Sequence, residues 1–241
     1  MQKIKAYMNW SGGKDSSLAL YKILKSEQFE VTELLTSINE AHDRISMHGV
    51  RTDLLRLQAE YIDIPLSTIQ LPAQPSMEIY ESIMHTKITK LKLSGTVDTI
   101  FGDIFLEDLR QYREEKLSLM GIRAHFPLWK TDTTMLMHEF ISLGFKAIVV
   151  CVNGEVLDKS FCGRIIDQSF VNDLPSNVDV CGENGEYHSF VFDGPIFKKP
   201  VPFKIGEIVH RSYQNPNTAT NNVCHTTPEK IGFYFCDLIV T

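Results

Sequence analysis

No apolar run in this chain of 241 residues approaches the roughly 20 residues that a membrane-spanning helix needs. The charged-then-apolar layout of a secretory leader is missing too, and strand-forming residues begin almost at Met1, so no cleaved segment is expected. A surplus of positive charge is absent: the formal net charge is −6, which argues against a broad electrostatic grip on nucleic acid and leaves room only for a local basic patch. The cysteines Cys151, Cys162, Cys181, Cys224 and Cys236 form no CxxC pair. That removes a zinc site of the usual paired spacing, and their odd number fits a reducing, cytoplasmic setting better than a disulfide framework. Cys151, inside the apolar stretch Ala147–Val152, reads as a small buried hydrophobe. No internal repeat or low-complexity tract is present. With 43% hydrophobic and 22% charged residues, the composition is that of an ordinary globular protein, long enough for one large domain or two modest ones.

The first half alternates strand and helix patterns. Strands are expected at Ile4–Asn9, Glu30–Ser37, Pro65–Gln70, Thr99–Phe101 and Arg123–Phe126. Helices are expected at Ser16–Lys25, Arg51–Tyr61 and Glu107–Met120, with a longer one through Met77, Tyr80, Met84, Lys87, Ile88 and Leu91. His42–Gly49 reads as a loop, because His, Asp, Ser and Gly interrupt any period. Such alternation implies an α/β fold with a parallel sheet covered by helices on both faces. Ligands then lie beyond the carboxyl ends of the strands, where Ser11, Ser37, Gln70, Gly102 and Asp103 fall. The pattern changes after Pro127-Leu128-Trp129. A helix at Asp132–Leu143, a strand at Phe145–Val152, a short helix near Asp167–Leu174 and a last strand at Ile231–Val240 suit a smaller α+β part. The expected division is residues 1–126 and 127–241. Asn215–Thr227, rich in Asn, Thr and Pro, reads as a mobile loop.

Ser11-Gly12-Gly13-Lys14-Asp15-Ser16-Ser17 sits on the first strand-to-helix junction. Two glycines let the backbone bend so that several N–H groups point to one place, and the following helix adds its positive end. Ser11, Ser16 and Ser17 offer hydroxyls and Lys14 a mobile charge. Asp15 would repel a phosphate unless a divalent cation stands between them, which points to Mg²⁺. The common phosphate loop needs Gly at position 8 and Ser or Thr at position 15, whereas this chain has Met8 and Asp15. A surface turn capped by Ser and Asp is the plain alternative. The string instead resembles the SGGxDS signature of the PP-loop ATP pyrophosphatases, which split ATP between its α and β phosphates.

Three further segments carry chemistry. Phe101-Gly102-Asp103-Ile104 precedes a helix with Arg110 and Arg113 on one face, which could equally be a solvated, salt-bridged face. In Ala124-His125-Phe126-Pro127-Leu128-Trp129 the Trp could close a pocket or serve as a core aromatic. Val180-Cys181-Gly182-Glu183-Asn184-Gly185-Glu186-Tyr187-His188-Ser189-Phe190 packs two carboxylates, an Asn and a His around a turn that needs only Asn-Gly. Strand alternation there would put Glu186 and His188 on one face, opposite Tyr187 and Ser189.

Together, SGGKDS, GDI with its following arginines, PLW and GENGEYHSF resemble the diphthine–ammonia ligase family of PP-loop ATPases, from about Lys3 to Phe197. The resemblance implies a Rossmann-like nucleotide domain and a smaller C-terminal domain carrying the GENGE segment. It implies ATP and Mg²⁺ as cofactors, and ammonium and an acceptor carboxylate as partners. In eukaryotic and archaeal members that acceptor is diphthine on elongation factor 2, activated as an acyl-adenylate before ammonia displaces AMP. Carried onto this sequence, Ser11, Gly12, Gly13, Lys14, Asp15, Ser16 and Ser17 would bind the phosphates, with Asp15 on the metal. Ser37 would meet the adenosine, and Gly102 and Asp103 would line the crevice. Glu183, Glu186 and His188 would be the candidates for handling ammonia, with Asn184 and Arg113 toward the substrate. Two other readings stand beside this one. One is a PP-loop enzyme acting on tRNA or a small metabolite, although the separated cysteines speak against thiolation. The other is an ATP or AMP sensor without turnover, whose mark would be loss of Lys14 or Asp15. The tail after Phe197 has no counterpart in the resemblance.

Overall fold

The computed structural model describes residues 2–40, 44–45, 48–72, 76–214 and 230–241. The expected loop Asn215–Thr227 and Cys224 lie outside them. Strand β1 (Ile4–Asn9) runs through the centre of the first sheet, with Ala6, Tyr7 and Met8 buried in succession, as a strand covered on both faces requires. Around it lie β2 (Phe29–Asn39), β4 (Leu66–Leu71), β5 (Asp98–Ile100) and β6 (Arg123–His125), all parallel, in the order β4-β2-β1-β5-β6. A two-residue strand, β3 (Arg44–Ile45), pairs antiparallel with the end of β2. Of the expected loop at His42–Gly49, residues 42–43 and 46–47 lie outside the described residues; within the rest only Arg44–Ile45 pairs as a strand, where Ile45 is buried and its N–H donates to the Val50 carbonyl.

Helices α1 (Lys14–Ser26), α2 (Thr52–Ile62), α3 (Met77–Leu93) and α4 (Glu107–Leu119) connect the strands. Residue alternation along β1 separates two apolar clusters. Ala6 and Met8 join Leu18, Leu20, Leu54 and Leu55 from α1 and α2. Tyr7 joins Leu35, Ile88, Leu91, Phe101 and Leu117, which brings in α3 and α4. This is the α/β, Rossmann-like sheet wound on both faces. The strand order reverses between β1 and β5, so the crevice for a ligand opens beyond their carboxyl ends.

The second sheet is antiparallel, ordered β8-β7-β10-β9, from β7 (Lys146–Asn153), β8 (Tyr187–Asp193), β9 (Phe203–Gln214) and β10 (Lys230–Val240). Helices α5 (Thr133–Ser142) and α6 (Gln168–Asp173) accompany it. The first apolar cluster continues without a break through Leu128, Phe140, Phe145, Val149, Phe190 and Leu238, so the two sheets share a core. Edge strand β8 touches the loop after β1, where Val191 N–H donates to the Gly12 carbonyl at 2.9 Å. That contact brings the GENGE segment to the crevice.

Candidate active site

After β1 the chain turns at Gly12, which has φ +74. A Cβ there would lie 2.6 Å from Gln58 Oε1, so the turn needs glycine both for its conformation and for space. Gln58, fully buried on α2, holds the turn: its amide donates to the Gly12 carbonyl (3.0 Å) and the Val191 carbonyl (2.6 Å), and accepts from Trp10 Nε1 (3.0 Å). Gly13 caps α1 in extended conformation without any side-chain cap. The positive end of the helix dipole at this start favours an anion. Ser189 Oγ accepts from Lys14 N–H at 3.1 Å. Ser11 Oγ accepts from Gly13 N–H at 3.2 Å and lies 3.1 Å from Ser16 Oγ. Ser17 is fully buried, and its hydroxyl has no partner among the described residues.

Lys14 is only 5% exposed, and its ammonium lies 2.8 Å from both Asp15 oxygens. Burial pulls its pKa down, but Asp15 more than offsets this together with neighbouring Cys181 and Tyr187, so Lys14 stands above its ordinary value as an ammonium. Burial pushes the Asp15 carboxyl up, against the pull of Lys14.

The second layer supplies the opposite wall. Asp179 fixes the approach, its Oδ1 accepting from Cys181 N–H (3.0 Å) and Glu183 N–H (3.2 Å). Glu183 Oε1 accepts from Ile104 N–H at 3.0 Å, joining the GENGE turn to the segment after β5. Burial raises the Glu183 pKa to about 7; the Ile104 N–H lowers it, Asp15 raises it, Lys14 lowers it and Asp103 raises it. A carboxylate that titrates near neutrality is suited to proton transfer. Glu186 is differently engaged: its oxygens accept from Asp179 N–H (3.0 Å), Asn184 N–H (2.9 Å) and Asn184 Nδ2 (3.0 Å). It immediately precedes β8 and turns its carboxylate into the GENGE turn, whereas His188, expected beside it on one strand face, lines the cavity. His188 stacks on His48 with ring centroids 4.6 Å apart. Burial holds His188 well below the usual imidazole range and brings His48 down to about 4. Burial pushes the Cys181 thiol up to about 12, which keeps it protonated.

These groups surround one cavity of about 850 Å³. Of the residues singled out in the sequence, Ser11, Gly13, Lys14, Asp15, Ser16, Ser37, Gly102, Asp103, Arg113, Glu183 and His188 line it. Gly12, Ser17, Asn184 and Glu186 are not among the lining residues and support it from behind. The two arginines of α4 part company. Arg113 pairs with Asp103 and lies 4.4 Å over the Phe101 ring, facing the cavity. Arg110 lies over Phe126 and Trp129 and ion-pairs with Glu114. Trp129 thus belongs to that stack and does not close the cavity. Gly102 has a structural cause as well: a Cβ there would sit 2.9 Å from the Ser16 nitrogen, so the end of β5 packs directly on α1.

Several contributors escaped the sequence reading. His48 lines the cavity, and Tyr80, Met84 and Ile88 of α3 form an apolar wall with Leu35, Ile69 and Phe101. Their helical spacing signalled burial, not a pocket. A divalent cation bound together with phosphates needs only one or two protein carboxylates. Asp15 at the loop, with Asp103 and Glu183 across from it, fits that demand. Among the described residues no three His, Cys, Asp or Glu side chains gather into a site that would hold a metal alone.

Comparison with known proteins bears on most of the chain. Residues 4–124 match the model of the diphthamide synthase N-terminal domain, and residues 132–218 that of the diphthamide synthase C-terminal domain. A diphthine–ammonia ligase of Danio rerio is 26% identical over 227 residues, covering 84% of this chain and 87% of the relative. The Homo sapiens diphthine–ammonia ligase is 25% identical over 225 residues, with 84% of each covered. Among solved structures, the U34-tRNA thiolase NcsA of Methanococcus maripaludis aligns with 60% of this chain and 59% of its own, at 17% identity and a TM-score of 0.37. With both family models matched in order along one chain, the protein belongs to the diphthamide synthase family.

Proposed function

We propose that this ATP-dependent, carbon–nitrogen bond-forming ligase activates an acceptor carboxylate as its acyl-adenylate and then lets ammonia displace AMP. One observation carries the reading: a cationic helix start with Lys14 and a carboxylate poised near neutrality, Glu183, face each other across one cavity. In the first half-reaction an oxygen of the acceptor carboxylate attacks the α phosphorus, and the bond to the β phosphate breaks. The amides of Gly13 to Ser16, the Ser11 and Ser16 hydroxyls and Lys14 take up the charge that develops on the departing pyrophosphate. Asp15, with Asp103, would hold Mg²⁺ together with the phosphates, and the ion when bound supplies positive charge against them. Ser37 and the wall of Tyr80, Met84, Ile88 and Phe101 would receive the adenosine.

In the second half-reaction Glu183 takes a proton from ammonium and passes it to solvent, the freed ammonia attacks the acyl carbon, AMP leaves with the bond electrons, and the new amide nitrogen gives up its extra proton to Glu183 or solvent. Glu186 and Asn184 hold the turn that aims Glu183, and Arg113 faces the acceptor from α4. Residues 1–126 then carry the nucleotide and residues 127–241 the ammonia-handling wall. Relatives named diphthine–ammonia ligases support diphthine as the acceptor, which the family resemblance puts on elongation factor 2. No described helix is long and apolar enough to cross a membrane, which is compatible with a cytoplasmic enzyme.

The test is isotope exchange between pyrophosphate and ATP with Mg²⁺ and the diphthine-bearing protein. Exchange that depends on the acceptor, without ammonium, is expected. Amide formation with no exchange under any condition would remove the acyl-adenylate.

A further inference from the structure

The C-terminal strand β10 lies outside both stretches matched by the family models, yet it reaches the site. Past the end of β2, Arg44 and Arg51 pair antiparallel, Ile45 N–H donates to the Val50 carbonyl at 2.9 Å, and Gly49 N–H donates to the Ile45 carbonyl at 3.0 Å. Both arginines of this pair grip one carboxylate. Arg51 donates to both oxygens of Asp237 (3.0 and 2.6 Å), and Arg44 reaches Asp237 Oδ1 at 2.9 Å. Arg44 also donates to the Gly49 carbonyl at 2.7 Å. Phe235 of the same strand packs on Gly49, where a Cβ would meet its ring at 2.8 Å.

His48 directly precedes the Gly49 held in this way. A Cβ on Gly13 would lie 3.2 Å from His48 Cε1, so the imidazole sits directly over the phosphate loop. Its Nδ1 lies 3.4 Å from the Ser189 carbonyl oxygen, and Ser189 Oγ accepts from Lys14 N–H. We propose that His48 contacts the phosphates of the bound nucleotide, and that Asp237 is the positioning residue that keeps it there. This rests on the reading of the loop as the phosphate site. With Nδ1–H donated to Ser189, Nε2 is the atom left to face the ligand. The charged group beside the ring is Lys14 on α1, and the titratable one is His188 on β8, held neutral by burial. Phosphates reverse that balance. Nε2 takes a proton from solvent and donates it as a charge-assisted hydrogen bond.

The experiment measures ATP and inorganic pyrophosphate binding to the full chain by titration calorimetry, in buffers of different ionisation enthalpy. It compares wild type, His48→Gln, Asp237→Asn and the double variant. Each single change weakens binding roughly ten-fold and removes the proton taken up on binding, and the double variant is no weaker than His48→Gln alone. Should Asp237→Asn not fold, Arg51→Lys, which keeps the charge but loses the two-pronged grip, enters the same cycle. Wild-type affinity and proton uptake in His48→Gln would overturn the contact. An Asp237→Asn effect that adds fully to His48→Gln would overturn the positioning role. Wild type that binds neither nucleotide nor pyrophosphate would overturn the phosphate-site reading beneath both.

Discussion

Replacing Glu183 with glutamine separates a working base from a structural carboxylate. Burial moves this group from its ordinary 4.5 to about 7. A shift of that size corresponds to about 3 kcal/mol for a fully buried group, and to about 2 kcal/mol for Glu183 with its partial exposure. The sign follows from which state holds the proton. Between pH 4.5 and about 7 the folded chain keeps Glu183 protonated while the unfolded chain has lost that proton. The contribution is therefore fully present below 4.5, is lost as pH rises through that window, and stays lost above it. The glutamine side chain is neutral throughout and can still accept from Ile104 N–H. Denaturant unfolding at pH 5, 6, 7 and 8 should find the variant close to wild type at pH 5 and about 2 kcal/mol more stable at pH 8. The same substitution should flatten the rise of amide formation through neutral pH while sparing pyrophosphate exchange. Parallel stability curves, or an unchanged pH–rate profile, would refute the assignment of the base.

Lys14→Met should lower pyrophosphate exchange by about a hundred-fold or more, with a stability loss of about 1–2 kcal/mol because Asp15 loses its partner, read by kinetics and urea unfolding. Gly12→Ala forces a side chain into a left-handed backbone and against Gln58, and should destabilise by about 2 kcal/mol or more in thermal and urea melts. Glu186→Gln leaves too few acceptors for Asp179 N–H, Asn184 N–H and Asn184 Nδ2. It should cost about 1–2 kcal/mol and slow both half-reactions alike; a loss confined to amide formation would return Glu186 to the ammonia-handling role.

What could be read from the sequence was what short-range pattern encodes. The alternation of strand and helix periods marks out the parallel sheet and its connections, and the strand ends gather Ser11, Ser37, Gly102 and Asp103 at one edge of it. Contacts across the fold left no such trace. Gln58 holds Gly12 from 46 residues away, and Asp237 holds Arg51 from 186 residues away. Neither belongs to a local motif. The glycine at 102 was legible as a close approach, but its partner, the backbone of Asp15 and Ser16, was not. Likewise the GENGE string announced two carboxylates without dividing their work. Only their hydrogen bonds do so: Glu186 is saturated by the turn, whereas Glu183 commits one bond to Ile104 and faces the cavity.

That division has an electrostatic logic. Phosphates need positive potential, and α1 with Lys14 concentrates it on the β1 side. Ammonium needs negative potential, and Asp15, Asp103 and Glu183 concentrate it between the layers. If Glu183 were ionised at all times it would hold ammonium and resist giving up free ammonia. A pKa near that of the surroundings allows it to accept the proton and lose it to solvent again. Part of the elevation comes from the same Asp15 and Asp103 that would meet the phosphates and metal. In the proposed reaction the charge state of the first half would therefore act on the base of the second. Departure of pyrophosphate with its cation would leave those two carboxylates with only Lys14 and Arg113 as partners. That raises the affinity of Glu183 for a proton at the moment an acyl-adenylate awaits ammonia.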